Sequence, residues 1–250
     1  MLQLPLNLIE SEAATAGEPT VLERAAEAGL TVLVNRPLNA IVDGTLLRLA
    51  DPPEVDEVES SYLEALEEMA ALERQFAESI APAVEGLSIP ADALFQFTDE
   101  LRKLDGQLES IGQWEQIARG QVIPVVSRAI QAVERAIAGA ARNQWMEWRT
   151  AYIRRTELAL GALRAQTAKA AGARVDGIVG VIDPLVPLAK QSESVSRKAL
   201  WTLLSTPGVG VVLVGMRRPR YVRDALGPLP WDPIPRWREV YDTLRDGPPG

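Results

Sequence analysis

The 250 residues carry a net charge of −8, with 47% apolar and 24% charged side chains, which is ample for one large core or two modest ones and argues against a general nucleic-acid binder. Cysteine and histidine are both absent. Their absence removes disulfides, thiolate nucleophiles, imidazole bases, Ser-His-Asp triads and histidine metal sites together, and it fits a reducing cytoplasm.

No charged and apolar leader opens the chain, and no apolar run approaches the ~20 residues needed to cross a bilayer, so neither export nor a membrane is expected. Leu2 to Ile9 reads as a strand running into a loop, with Pro5 suited to a strand end. Thr20 to Ala28 is a short amphipathic helix, with Val21, Leu22, Ala25 and Ala26 inward and Gly29 as its stop. Leu30-Thr-Val-Leu-Val34 is a second buried strand, followed by the polar loop Asn35-Arg-Pro-Leu-Asn39. This β-α-β order implies a parallel pair.

From about Asp51 to Lys190 helical spacing dominates. One helix carries Val55, Val58, Tyr62, Leu66, Met69, Leu72 and Phe76, and a second carries Leu94, Phe97, Leu101, Leu104, Leu108 and Ile111. Pro124 opens a third, and Trp145, Trp148, Tyr152 and Leu160 belong to a fourth ending near Gly172. Four helices with short connections suggest an up-and-down bundle. Residues 51–110 hold sixteen acidic and three basic side chains, whereas residues 111–175 hold four and ten. Hairpins pairing across the bundle explain that split; the rival is an acidic docking face for a basic partner. Glu64, Glu67, Glu68 and Glu78 read as a solvated face rather than metal ligands, since no histidine or second glutamate-rich helix stands opposite.

Ser192 to Leu204 is a further amphipathic helix, with Val195, Ala199, Leu200 and Leu203 inward. Pro207-Gly208 makes a turn, and Val209 to Val214 is an aliphatic run expected of a strand covered on both faces. Gly215, Met216 and Arg217 form the corner that follows, and Pro219 opens a helix through Tyr221, Val222, Ala225 and Leu226. In parallel α/β folds such a corner is the usual anion site, so Arg217, Arg218, Arg220 and Arg223 suggest a phosphate, against a solvated helix start or nucleic acid as alternatives. Residues 229–250 read as a carboxyl-terminal arm with a short helix at Trp237 to Leu244, in which Trp231 and Trp237 read as core or interface anchors.

Gln3-Leu-Pro-Leu-Asn-Leu-Ile-Glu10, Ala28-Gly-Leu-Thr-Val-Leu-Val-Asn-Arg-Pro-Leu38 and Ser205-Thr-Pro-Gly-Val…Val-Leu-Val-Gly-Met-Arg…Tyr-Val222 resemble the last three βα units of the aldo-keto reductase family. The resemblance implies an α/β fold: part of a (β/α)8 TIM barrel, with residues 1–49 as its sixth and seventh strands and 191–228 as its eighth strand and helix. Residues 50–190 would be a large helical insertion, of the kind some bacterial members have, and 229–250 the carboxyl-terminal arm. It places Gln3 against a nicotinamide, Asn35, Arg36, Pro37 and Leu38 along the ribose and pyrophosphate, and Gly215, Met216, Arg217, Tyr221 and Asp224 around the adenosine end. Arginine near the adenosine ribose favours NADP over NAD, although Met216 stands where a hydroxyl residue often sits.

The family's catalytic Asp, Tyr, Lys and His come from the first four strands, which are not in this chain, so no catalytic residue and no metal ligand is assigned. Three βα units cannot close an eight-stranded barrel. The resemblance therefore implies a complementary chain carrying the first five units and the catalytic set. Together the two would form a split reductase acting on a small carbonyl substrate in the cytoplasm, with no nucleic acid or membrane as partner. The alternative is a non-catalytic interaction module whose helical bundle docks a partner.

Overall fold

A computed structural model describes residues 1–42, 44–52, 54–55, 58, 60–108 and 110–246. In chain order the elements are β1 (Leu2–Pro5), the single turn α1 (Glu12–Thr15), α2 (Val21–Glu27), β2 (Val32–Asn35), β3 (Asn39–Val42), β4 (Thr45–Arg48), α3 (Tyr62–Ser79), α4 (Phe97–Leu104), α5 (Ile111–Ile117), α6 (Ile123–Ala136), α7 (Ala141–Ile182), α8 (Val195–Ser205), β5 (Val209–Val212), α9 (Pro219–Leu226) and α10 (Trp237–Asp246). The fold is mixed α/β and mostly helical, with a small three-stranded parallel sheet. No described helix is long and apolar enough to cross a membrane. Two compact units divide the chain, one of Met1–Pro52 with Ala171–Gly250 and one of Pro53–Ala170, where the sequence reading cut after residues 49 and 190.

The first unit holds the sheet in the order β1-β2-β5. Leu2, Val32 and Val209 align in one row and Leu4, Val34 and Val212 in the next. These rows pack against Leu22 and Ala25 of α2, Leu203 of α8 and Tyr241 of α10. The alternate row, Gln3, Leu33 and Val211, points the other way. Gln3 is exposed and Val211 is 43% exposed, so this sheet is not covered on both faces as the run Val209–Val214 suggested. Alternation reaches β5 through a bulge: Val32 faces Val209 but Leu33 faces Val211, leaving Gly210 as the extra residue. A Cβ on Gly210 would lie 2.8 Å from Thr31 Cγ2 and 3.2 Å from the Val32 carbonyl, which explains glycine there.

Caps fix the neighbouring helices. Thr20 accepts from the Glu23 amide at 3.2 Å while Glu23 accepts from Thr20 N–H at 2.7 Å, and Ser194 accepts from the Arg197 amide at 3.3 Å. A second core lies beneath the antiparallel hairpin β3-β4, where Leu8, Ala40 and Leu49 meet Ile178 and Ile182 of α7, Val195 and Trp201 of α8, and Val240 and Leu244 of α10. Lys198 of α8, 1% exposed, donates to Asp183 Oδ1 at 2.6 Å and to the Gln191 carbonyl at 2.5 Å.

The second unit is helical among its described residues, apart from one isolated bridge between Val84 and Ile137. α3 starts at Tyr62, later than Val55 and Val58 suggested, because Ser61 and Glu64 close a capping box there. Pro124 lies in the first turn of α6, preceded by a π-helical segment at Ala118–Val122. α7 continues ten residues past the expected stop at Gly172, to Ile182. α3 and α7 run antiparallel: Trp148 Nε1 donates to the Leu72 carbonyl at 2.7 Å, Tyr152 reaches Glu73, and Arg155 pairs with Glu68 at 2.8 Å. Trp148 stacks on Tyr152 with centroids 4.6 Å apart, and Phe76 and Phe95 meet edge-on at 4.6 Å. Pairing across the charge halves holds at Arg155–Glu68, whereas Arg142 and Arg149 turn to Glu134 within their own half.

Glu73 supplies a cap that the sequence pattern does not announce. Its carboxylate accepts from the amides of Phe97 (2.9 Å) and Thr98 (3.2 Å), the first two residues of α4, and from the Tyr152 hydroxyl at 2.9 Å. Burial pushes its pKa above the ordinary glutamate value, against the opposing pull of these donors.

Candidate functional site

In a parallel sheet all strands end on one side, and here those ends carry the residues singled out from the sequence. β2 ends at Asn35, followed by Arg36, Pro37 and Leu38; β5 is followed by Gly215, Met216 and Arg217. Gln3 sits two residues before the end of β1, in the uncovered row with Leu33 and Val211. Asn35 pairs with Pro5 across the strands, and its Oδ1 is buried without a protein partner.

The loop after β2 is held from the segment that follows β1. Arg36 adopts a left-handed backbone with φ +52°, and its guanidinium pairs with the Glu10 carboxylate. Asn7, fully buried, accepts from the Ile9 and Glu10 amides at 3.0 and 2.9 Å and donates to Glu10 Oε2 at 2.8 Å and to the carbonyls of Arg36 and Asn39 at 3.4 and 3.2 Å. Pro37 is buried and Leu38 packs against the core beneath the hairpin, so both serve the scaffold as well as the strand end. Asn7 and Glu10 are the site residues that reasoning from the sequence left out. Their signal is a polar pair in the run that leaves a strand's carboxyl end.

Around α9 the charge is positive. Arg220 donates to the Tyr221 hydroxyl at 3.1 Å and lies 4.9 Å from its ring centre, while Arg48 of β4 lies 5.9 Å from it. That hydrogen bond, with the charges of Arg220, Arg48 and Arg218, holds the Tyr221 pKa below the usual phenol value. Arg217 and Arg218 are exposed and carry no ion pair among the described residues. Met216 is 48% exposed. Asp224 faces α8 instead, pairing with Arg197 Nε at 3.3 Å and accepting from Ser196 at 3.4 Å.

Two strand-end groups therefore share one end of the sheet, a loop with a left-handed arginine and a corner whose Arg217 and Arg218 carry no ion pair among the described residues, while Gln3 lies within β1 on the open face. Such a set can bind an extended, phosphate-bearing ligand. Tyr62, Tyr152 and Tyr241 are buried and each donates or shares its hydroxyl with a fixed partner, and burial pushes all three upward. Among the described residues no cluster of three or more carboxylates is placed to hold a metal ion. No family model, curated protein or solved structure matches the chain.

Proposed function

We propose that the chain is the C-terminal, cofactor-binding portion of an aldo-keto-reductase-like oxidoreductase that uses NADPH, or NADH less well, to reduce a small carbonyl compound in the cytoplasm. It acts only with a complementary chain that supplies the first five βα units and the catalytic Asp, Tyr, Lys and His. In this reading β1, β2 and β5 are the sixth, seventh and eighth strands of a (β/α)8 barrel.

One observation carries the reading: the three strands lie side by side in chain order, all parallel, with helices packed, among the described residues, on the face of Leu4, Val34 and Val212 only. A parallel sheet is ordinarily covered on both faces, and a barrel covers the second by closing on itself. The row Gln3, Leu33 and Val211 would then face the barrel interior, and the free edges of β1 and β5 would pair with the complementary chain. Exposed Arg217 and Arg218, with no ion pair among the described residues, suit the 2′-phosphate of NADP. The test is to co-express the chain with candidate complementary chains and measure co-purification, quenching of NADPH fluorescence and carbonyl turnover. Arg217→Ala should weaken NADPH more than NADH. A chain that stays monomeric and leaves NADPH fluorescence unchanged with every candidate refutes the reading, and equal losses of both cofactors remove the 2′-phosphate assignment.

A further inference from the structure

We infer that Asn7 and Glu10 are positioning residues that hold the Arg36–Asn39 loop in the shape that receives the diphosphate of a dinucleotide. The inference rests on the cofactor reading above and adds to it two residues from the segment that follows a different strand, β1. Asn7 is 0% exposed, and every polar position of its amide is used: two loop carbonyls and a carboxylate for the nitrogen, two amides for the oxygen. A buried amide satisfied this fully fixes what it touches, because any movement leaves a donor or acceptor stranded. What it touches are the two ends of the loop, Arg36 and Asn39.

Glu10 completes the arrangement. One oxygen takes the Arg36 guanidinium; the other takes Asn7 and, at 3.2 Å, the amide of Ile41, the third residue of β3. The carboxylate thus ties Arg36 to the strand that leaves the loop. A left-handed φ at a residue other than glycine persists only where the surroundings over-determine it, and these contacts do so for Arg36. Glu10 engages one edge of a guanidinium that has five donors, and the side chain stays 35% exposed, so its other donors can reach an anion in front of the loop. A carboxylate that orients an arginine in this way sets affinity without touching the ligand.

The experiment is a cycle of Glu10→Gln, Arg36→Gln and the double variant in the full chain with its complementary chain, titrated with NADPH by fluorescence and melted in parallel. Glu10→Gln should weaken NADPH about tenfold, the equivalent of one charge-assisted hydrogen bond. In the Arg36→Gln background it should cost nothing further, since Glu10 acts through Arg36. Asn7→Ala should weaken NADPH at least as much; if it does not fold, the cycle alone decides. Wild-type protein that binds NADPH while Glu10→Gln binds it equally well overturns this inference alone, as does an equal loss in both backgrounds. Wild-type protein that does not bind NADPH overturns the cofactor reading, and this inference with it.

Discussion

Replacing Glu73 by alanine should destabilise the helical unit more than any exposed carboxylate does. The change strands three donors at once: the amides of Phe97 and Thr98 and the hydroxyl of Tyr152, whose side chain is 0% exposed. Losing a helix cap costs about 1 kcal/mol, and a buried hydroxyl left unpaired costs about 1–3 kcal/mol. The sum is about 2–4 kcal/mol, or a fall in melting temperature of roughly 8–16 °C for a unit of this size. Circular dichroism melts of Glu73→Ala, Tyr152→Phe and the double variant apportion it. Tyr152→Phe removes the stranded hydroxyl, so Glu73→Ala should cost about 1 kcal/mol less in that background. Additive losses, or a shift below 2 °C, refute the cap. The pH dependence adds a second check. Because folding raises the Glu73 pKa, the folded state holds this proton more tightly, so its contribution to stability is full below the unfolded value near 4.5 and is lost as pH rises through the folded value. The stability advantage of the wild type over Glu73→Gln should therefore shrink as pH rises from 4 towards neutrality; a constant difference excludes titration of Glu73 as its source.

Three further substitutions probe the sheet unit. Gly208 has φ +89°, and a Cβ there would lie 3.1 Å from Leu22 Cβ, whereas Gly29 has φ +65° with nothing within 4 Å. Gly29→Ala should cost about 1–2 kcal/mol for the left-handed backbone, and Gly208→Ala about 1–3 kcal/mol beyond that for crowding, read by urea denaturation; equal costs would contradict the packing against α2. Lys198→Ala leaves Asp183 and the Gln191 carbonyl without their donor and should cost about 3 kcal/mol, a loss below 1 kcal/mol showing that water replaces the ammonium.

Elements whose signal is local were legible in the sequence. The amphipathic spacing of Thr20–Ala28 became α2, Ser194 lies beside the expected start of α8, and the aliphatic runs at 30–34 and 209–214 hold β2 and β5. Periodicity failed at boundaries that a cap decides, as at Ser61, and at Gly172, where a glycine inside a packed helix is tolerated. The hairpin β3-β4 was missed although an Asp-Gly pair stands between its apolar runs, because no element was assigned between Asn39 and Asp51. Whether a strand is covered on one face or two is not written in an aliphatic run, since it depends on what packs from elsewhere. The networks at Glu73 and Asn7–Glu10 were invisible for the same reason: their partners lie 24 to 79 and up to 32 residues away along the chain.

The central strand also orders events in time. β2 sits between β1 and β5, yet Val34 waits for Val212, and the whole helical unit is synthesised between them. At ordinary translation speeds that interval is about 10–35 s. Throughout it, Val32 and Val34 have a neighbour on one edge only, while Pro53–Ala170 can already condense around its aromatic cluster. The nascent chain therefore carries the β2 edge open longer than it would if the strands were contiguous, and chaperone capture or mispairing between ribosomes can fall on the β1-β2 pair until β5 emerges.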